Sequence, residues 1–172
     1  MRLQFQSTLT ECQREALERL MFFNQRQRQA EGAITRAIDL FGSPRIVSDA
    51  SGLHVAVGTG VEVQCLFAIE QGQRSDALAG MVMFLRTSAE DVLVLHIAVA
   101  DRYGRRGLEV VAALVRAVRA SAARLRGVRR VTMIDLEGRE LRITVRAPRR
   151  RSIRPTDSTG APPPAARPAR AS

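Results

Sequence analysis

Few side chains in this sequence can move a proton or attack an electrophile. Of its two histidines, His96 lies in the apolar run 92–99, where alternation places it with Val94 and Ala98 on one face of a strand. An imidazole there, with an ordinary pKa of about 6.5, can act as a general base; the plainer alternative is a histidine hydrogen-bonded within the sheet. Glu70 ends another apolar run and offers a carboxylate base, or simply a solvated strand-end acid. Glu62 and Gln64 alternate with Val61, Val63 and Cys65 and mark a polar sheet face that could line a substrate groove. His54 has no matching ligand nearby in sequence, and Tyr103 is the only tyrosine. Two cysteines, Cys12 and Cys65, and two histidines are too few for a disulfide framework or a structural zinc site. Cys65, within an apolar strand, reads as an inert core thiol.

These residues need elements to hold them. Residues 2–9 alternate as a strand with Leu3, Phe5, Ser7 and Leu9 on one face. A capping box of Thr8 with Glu11, or Thr10 with Gln13, starts a helix whose apolar stripe is Ala16, Leu17, Leu20, Met21 and Phe23. Ile34, Ala37, Ile38 and Phe41 continue at helical spacing, Gly32 marks a break between two helices, and 42–44 end the helical region. Residues 53–57 read as a strand, 58–60 as a tight turn and 61–69 as the returning strand. Residues 78–85 form another strand, and 92–99 a central one covered on both faces. The clearest helix spans 107–126, with Leu108, Val111, Val115, Val118, Ala122 and Leu125 as its core stripe and Gly127 as its cap. Strands at 130–136 and 140–145 flank a turn at 137–138.

The chain has 172 residues, which suits one domain at 1–147 and a Pro/Arg/Ala-rich tail at 148–172 that lacks any apolar stripe and is expected to be disordered. All 27 basic residues are arginine. Seven of them, from Arg146 to Arg170, lie near the C-terminus against one acid, Asp157, and carry +6 of the net +10. That stretch is a solvated tail or a contact for nucleic acid. No apolar run is long enough for a bilayer span, and 1–10 lacks the core of a signal peptide, so a cytoplasmic protein without membrane partners is expected.

The turn before the clearest helix reads Val99-Ala100-Asp101-Arg102-Tyr103-Gly104-Arg105-Arg106-Gly107-Leu108. It resembles the cofactor segment of the GNAT N-acetyltransferase superfamily. There, a strand ending in valine leads through an acid-and-tyrosine-like turn to Arg/Gln-x-x-Gly-x-Gly/Ala at a helix start. The resemblance is specific over 92–131. Over 1–136 it extends to the order of elements: strand, two helices, three antiparallel strands, helix, strand. It implies an α+β fold with a mixed, mostly antiparallel central sheet flanked by helices. It implies acetyl-CoA as cofactor, its pantetheine arm along the main chain of Ile97, Ala98 and Val99. The diphosphate would lie at Gly104, Arg105, Arg106, Gly107, Leu108 and Glu109, where a helix N-terminus offers unpaired N–H groups and glycines permit close approach. The acceptor would be an amine, on a small molecule or a protein, with His96 or Glu70 as base.

The sequence departs from the motif at Gly104, where the family has Arg or Gln, and at Glu109, where it has Gly or Ala. A carboxylate in the first helical turn suits the helix dipole when the site is empty and repels a bound diphosphate. The tyrosine expected after the next strand is absent from 132–135. Three readings follow: an N-acetyltransferase with an impaired hold on its cofactor, a catalytically inactive binding or regulatory module of the same fold, or a nucleic-acid-associated protein acting through the arginine tail. Absence of tryptophan and a single tyrosine argue against base stacking in the last.

Overall fold

The computed structural model describes residues 1–24, 31–58, 62–72, 76–134 and 139–145. The turns expected at 58–60 and 137–138 lie wholly or partly outside these residues, as does the tail at 148–172. In chain order the elements are β1 (Leu3–Gln6), a 3-10 turn (Glu11–Gln13), α1 (Arg14–Phe22), α2 (Glu31–Phe41), β2 (Pro44–Asp49), β3 (Gly52–Val57), β4 (Gln64–Glu70), β5 (Ala77–Arg86), β6 (Asp91–Val99), a second 3-10 segment (Asp101–Arg106), α3 (Gly107–Ala122), β7 (Arg130–Ile134) and β8 (Glu140–Thr144).

Six strands form one sheet in the order β1-β4-β5-β6-β7-β8, antiparallel at every pairing except β6 with β7. That parallel pair requires a crossover, and α3 supplies it. The fold is α+β, with α3 on one face of the sheet and α1 and α2 on the other. The element order implied by the resemblance is therefore present, and the expected central strand is β6.

The hairpin β2–β3 was not expected. Of the expected returning strand, the described residues 62–69 do not pair with 53–57; β3 pairs with β2, and β4 pairs with β1 and β5. The reason is that β3 packs as a second layer. Leu53, Val55 and Val57 are buried against Cys65 and Phe67, and the Cys65 thiol donates to Val55 O at 3.6 Å. A strand lying face to face on the sheet cannot also join its edge. Two bonds between Leu9 and Leu53, at 2.9 and 2.8 Å, tie this layer to the N-terminal segment.

Of the two possible capping boxes, Thr10 with Gln13 forms, with Thr10 N–H donating to Gln13 Oε1 at 3.0 Å. The helix then buries Leu17, Leu20 and Met21, whereas Ala16 is exposed and Phe23 is 75% exposed. Gly32 lies in the first turn of α2 rather than at a break, and β1 is shorter than expected, with Phe5 exposed.

The stripe of α3 is also rotated from the expected one. Gly107, Val110, Leu114, Val118 and Ala122 are buried, Val111 and Val115 are half-buried, and Leu108 is 79% exposed. Apolar residues cover most of the circumference of 107–122, so spacing alone permits both stripes. Gly80 selects between them. A Cβ on Gly80 would lie 2.7 Å from Ala98 O, 3.1 Å from Val110 Cγ1 and 3.3 Å from Leu114 Cδ1, so α3 sits directly on a strand position that has no side chain. Leu114→Asp is expected to destabilise the protein by about 3 kcal/mol or more, because it buries an unpaired carboxylate. Leu108→Asp should stay within about 0.5 kcal/mol of wild type. Urea unfolding of the two variants checks the orientation, and equal effects would refute it.

Candidate functional site

Strand β6 carries one extra residue. Met83 pairs with His96 and Phe84 with Val94, which leaves Leu95 as a bulge. A bulge resets side-chain alternation beyond it. Val94 packs into the α3-side core, whereas Leu95 and His96 both face a cavity on the α2 side; Ile97 returns to the α3 side and Ala98 to the α1 side. The expectation that His96 shares a face with both Val94 and Ala98 is thus corrected: it shares one with Ala98 only.

The ladder between β6 and β7 covers Asp91–Val94 against Arg130–Met133 and goes no further among the described residues. Among the described residues, β6 from His96 onward is paired on its β5 side alone. The Ala100 N–H bonds Ala79 O at 2.9 Å, so by alternation the groups of Val99 face the open side. There the buried Asn24 side chain, just after α1, donates to Val99 O at 2.7 Å. The partner is 75 residues away, and nothing local in the sequence marks Asn24.

Beyond β6 the chain enters the glycine-arginine turn. Tyr103, a buried residue, anchors it: its hydroxyl donates to Glu70 Oε2 at 2.7 Å in a part-buried bond, and accepts from Arg102, which also bonds Leu78 O at 2.9 Å and stacks 5.0 Å from the Tyr103 ring centroid. Burial, and next the bond to Glu70, push the tyrosine hydroxyl up, so it stays a donor. The nearness of Glu70 to Tyr103 could not be read from a separation of 33 residues. Glu70 and His96 are not brought together. Glu70 pairs with Ala77 and His96 with Met83, six positions along β5, or roughly 20 Å.

Arg105 and Arg106 are exposed, and Gly107 is buried beneath them at the start of α3. Gly104 has φ 41° and ψ −121°, a conformation that strains any side chain. An arginine at this position, as in the family motif, would not suit this backbone. Glu109 reaches back to Arg106, Oε2 to Nε 4.0 Å, with both side chains more than half exposed.

Two recesses adjoin β6. The first is a cavity of about 60 Å³ whose floor is Leu95 and His96 and whose opposite wall is Ile34, Ala37, Ile38 and Phe41 of α2. No charged side chain lines it among the described residues, and burial pushes the His96 pKa down from 6.5. The second is an open groove of about 740 Å³ between α1 and the 3-10 segment, edged by Glu15, Glu18, Phe23 and Asp101. Its arginines are engaged, Arg19 by Glu15 at 2.6 Å and Arg102 as described.

Elsewhere, burial pushes the Cys65 thiol up to about 11, consistent with an inert core residue. Glu62 and Gln64 are exposed. His54 lies half-buried with Nδ1 3.6 Å from Asp49 Oδ2.

No family model matches the chain, and no curated protein matches it in sequence. A solved structure from Desulfovibrio desulfuricans, of a protein assigned to the GNAT family of acetyltransferases, aligns over 77% of this chain and 72% of its own. The identity is 18% and the TM-score 0.37. No helix among the described residues is long and apolar enough to cross a membrane.

Two measurements check this geometry. Tyr103→Phe is expected to cost about 1–2 kcal/mol in urea unfolding, the loss of a partly buried bond to a carboxylate; an unchanged midpoint would mean the turn is not anchored there. The second concerns His96. Its folded pKa lies below 6.5, so the unfolded chain binds a proton that the folded chain resists. Its contribution to stability is therefore fully present above about pH 6.5 and is lost as pH falls through the folded value. Between pH 7.5 and 5, His96→Gln should lose stability less steeply than wild type; parallel curves would show that His96 protonates freely.

Proposed function

We propose that this protein is a GNAT-like N-acetyltransferase that uses acetyl-CoA on a primary amine, with a weakened hold on the diphosphate. One observation carries the reading: among the described residues the β6–β7 ladder ends at Val94, and the edge of β6 beyond it runs directly into a glycine-arginine turn at the start of α3. A parallel pair that parts in this way presents main-chain donors and acceptors along one strand and ends at helix N–H groups suited to phosphate.

The residues present fit the cofactor in part. The open edge at Ile97 would hold the pantetheine arm, whereas the main-chain groups of Ala98 turn toward β5. Val99 O is already occupied by Asn24. Arg105 and Arg106 would face the diphosphate, with Gly107 allowing close approach, but Glu109 draws on Arg106 and adds a negative charge. Bound acetyl-CoA supplies an activated acetyl thioester. His96, kept neutral by burial at physiological pH, can accept a proton from an amine that reaches the cavity floor. Glu70, engaged by Tyr103 and far from His96, is better suited to positioning the turn than to proton transfer. The inactive-module reading draws its support from the same two contacts, Asn24 on Val99 and Glu109 on Arg106, because both occupy groups that the cofactor needs.

Calorimetry with acetyl-CoA separates these readings. Like charges about 5 Å apart cost on the order of 3 kcal/mol at an effective dielectric near 20, and solvent at this exposed turn reduces that to a fraction. Wild type should bind weakly, and Glu109→Gln roughly tenfold more tightly. Absence of binding by both would overturn the transferase reading in favour of the module. Equal tight binding would show that Glu109 does not face the phosphates.

A further inference from the structure

The outer face of α3 gathers arginine without acids, and its shape limits what it can meet. We propose that this face docks on the phosphate backbone of double-stranded DNA through Arg116, Arg119, Arg124 and Arg126. The surface lies apart from the arginine tail and from the turn at 104–107, and its binding does not depend on the transferase reading above.

Charge comes first. From Arg102 to Ile134 the chain carries nine arginines and one acid, Glu109. Elsewhere exposed arginines sit beside carboxylates, Arg19 on Glu15 and Arg142 on Glu140. Arg116, Arg119, Arg124 and Arg126 are exposed, and none of their side chains has an ion pair among the described residues. Helical spacing supplies no acid to either of the first two. Three and four residues from Arg116 stand alanines and Arg119; from Arg119 stand Val115, Arg116 and alanines. Arg116 and Arg119 therefore repel each other across one turn. The helix dipole favours Arg119 in the last turn, but Arg116 lies beyond its reach. An anion from outside the fold relieves that repulsion.

Shape comes next. Arg116 stands two residues from both Leu114 and Val118, so it lies across the helix from the side that packs on the sheet. Ala112 and Ala120 flank it one turn away on either side, both exposed, so the face is low between its charges and a rigid partner can approach closely. From Arg116 to Arg126 the chain rises roughly 15 Å at about 1.5 Å per residue, which matches about four phosphates of one duplex strand at about 3.4 Å each.

The same residues exclude other polyanions. A helix that lies on a membrane surface sets bulky apolar residues among its cations. The exposed residues from 116 to 126 include none. Single strands are held by stacking on aromatic side chains. Residues 104–134 contain none, and Tyr103 is buried. Double-stranded RNA is recognised in part through its 2′-hydroxyls. The exposed side chains here are guanidinium and methyl groups, with no acceptor for that hydroxyl. The phosphate row of a DNA duplex needs only the cations.

Fluorescence anisotropy of a labelled DNA duplex of random sequence, titrated with the full chain between about 50 and 200 mM salt, reads these contacts. Affinity should fall at least about a hundredfold over that range, since four phosphate contacts alone give that much. Arg116→Gln with Arg119→Gln should lower the slope of log affinity against log salt by about two. Arg36→Gln with Arg45→Gln removes the same charge from exposed sites on α2 and β2, and should leave the slope unchanged. Glutamine is a good helix former and the helix positions are exposed, so the melting temperature should hold. Glutamine at Arg149, Arg150, Arg151 and Arg154 should leave the effect of the helix pair in place. Equal losses from the two pairs would mean that net charge alone is read. No effect of the helix pair, with binding lost on substitution in the tail, would assign the contact to the tail. Tighter binding of single strands or of an RNA duplex, or capture of phosphatidylserine vesicles through Arg116 and Arg119 without binding of the DNA duplex, would name another partner. Each of these results, like absence of binding at the lowest salt, overturns the proposal.

Discussion

The single extra residue in β6 is the constraint on which the candidate site depends. Were Leu95 paired in regular register instead of bulged, strict alternation along 92–99 would carry His96 to the face shared by Val94, into the core beneath α3. With it, the imidazole and Leu95 together floor a cavity on the opposite face. The bulge also falls where the pairing to β7 ends, so a local irregularity in one strand coincides with an open edge and a recess beside it. Bulges bend a strand and disrupt its ladder locally, and both effects are present here.

A second constraint fixes what lies beyond that edge. Helix α3 can settle on the sheet only because Gly80 leaves room for Val110 and Leu114, and this contact sets the rotation of the helix. Rotation in turn decides which side of its first turn faces outward, with Gly107 inside and Leu108 and Glu109 outside. Tyr103 pins the segment just before it through Glu70 and Arg102, so the turn is held at both ends, by a hydrogen-bonded tyrosine and by a packed helix.

The charges around the turn explain why the same scaffold supports two functional readings. Arg106 and Glu109 are partners when the site is empty, in the geometry that a helix N-terminus favours for an acid. An incoming diphosphate would compete with that acid for the same cation. Asn24 does the equivalent on the main chain at Val99. Under the transferase reading, the molecule has satisfied its own groups where the proposed cofactor would otherwise do so, and binding must exceed that internal satisfaction.

The sequence by itself determined the order and type of most elements, because period and turn residues are local properties. The apolar run at 92–99 had to be central, the glycines and arginines of 104–107 had to precede a helix, and a capping box, at Thr8–Glu11 or at Thr10–Gln13, had to begin one. It also singled out His96, Glu70 and the arginine turn. Only the tertiary structure decided how these were arranged. A bulge costs one residue and leaves no mark in an apolar run, so the face of His96 was not legible. An almost uniformly apolar helix has no preferred side until a glycine on the opposing strand provides one, so Leu114 could not be told from Val115. The partners of β3, Asn24 and Glu70 lie up to 75 residues from them or on another layer, and such contacts are set by packing and by the need to satisfy buried polar groups.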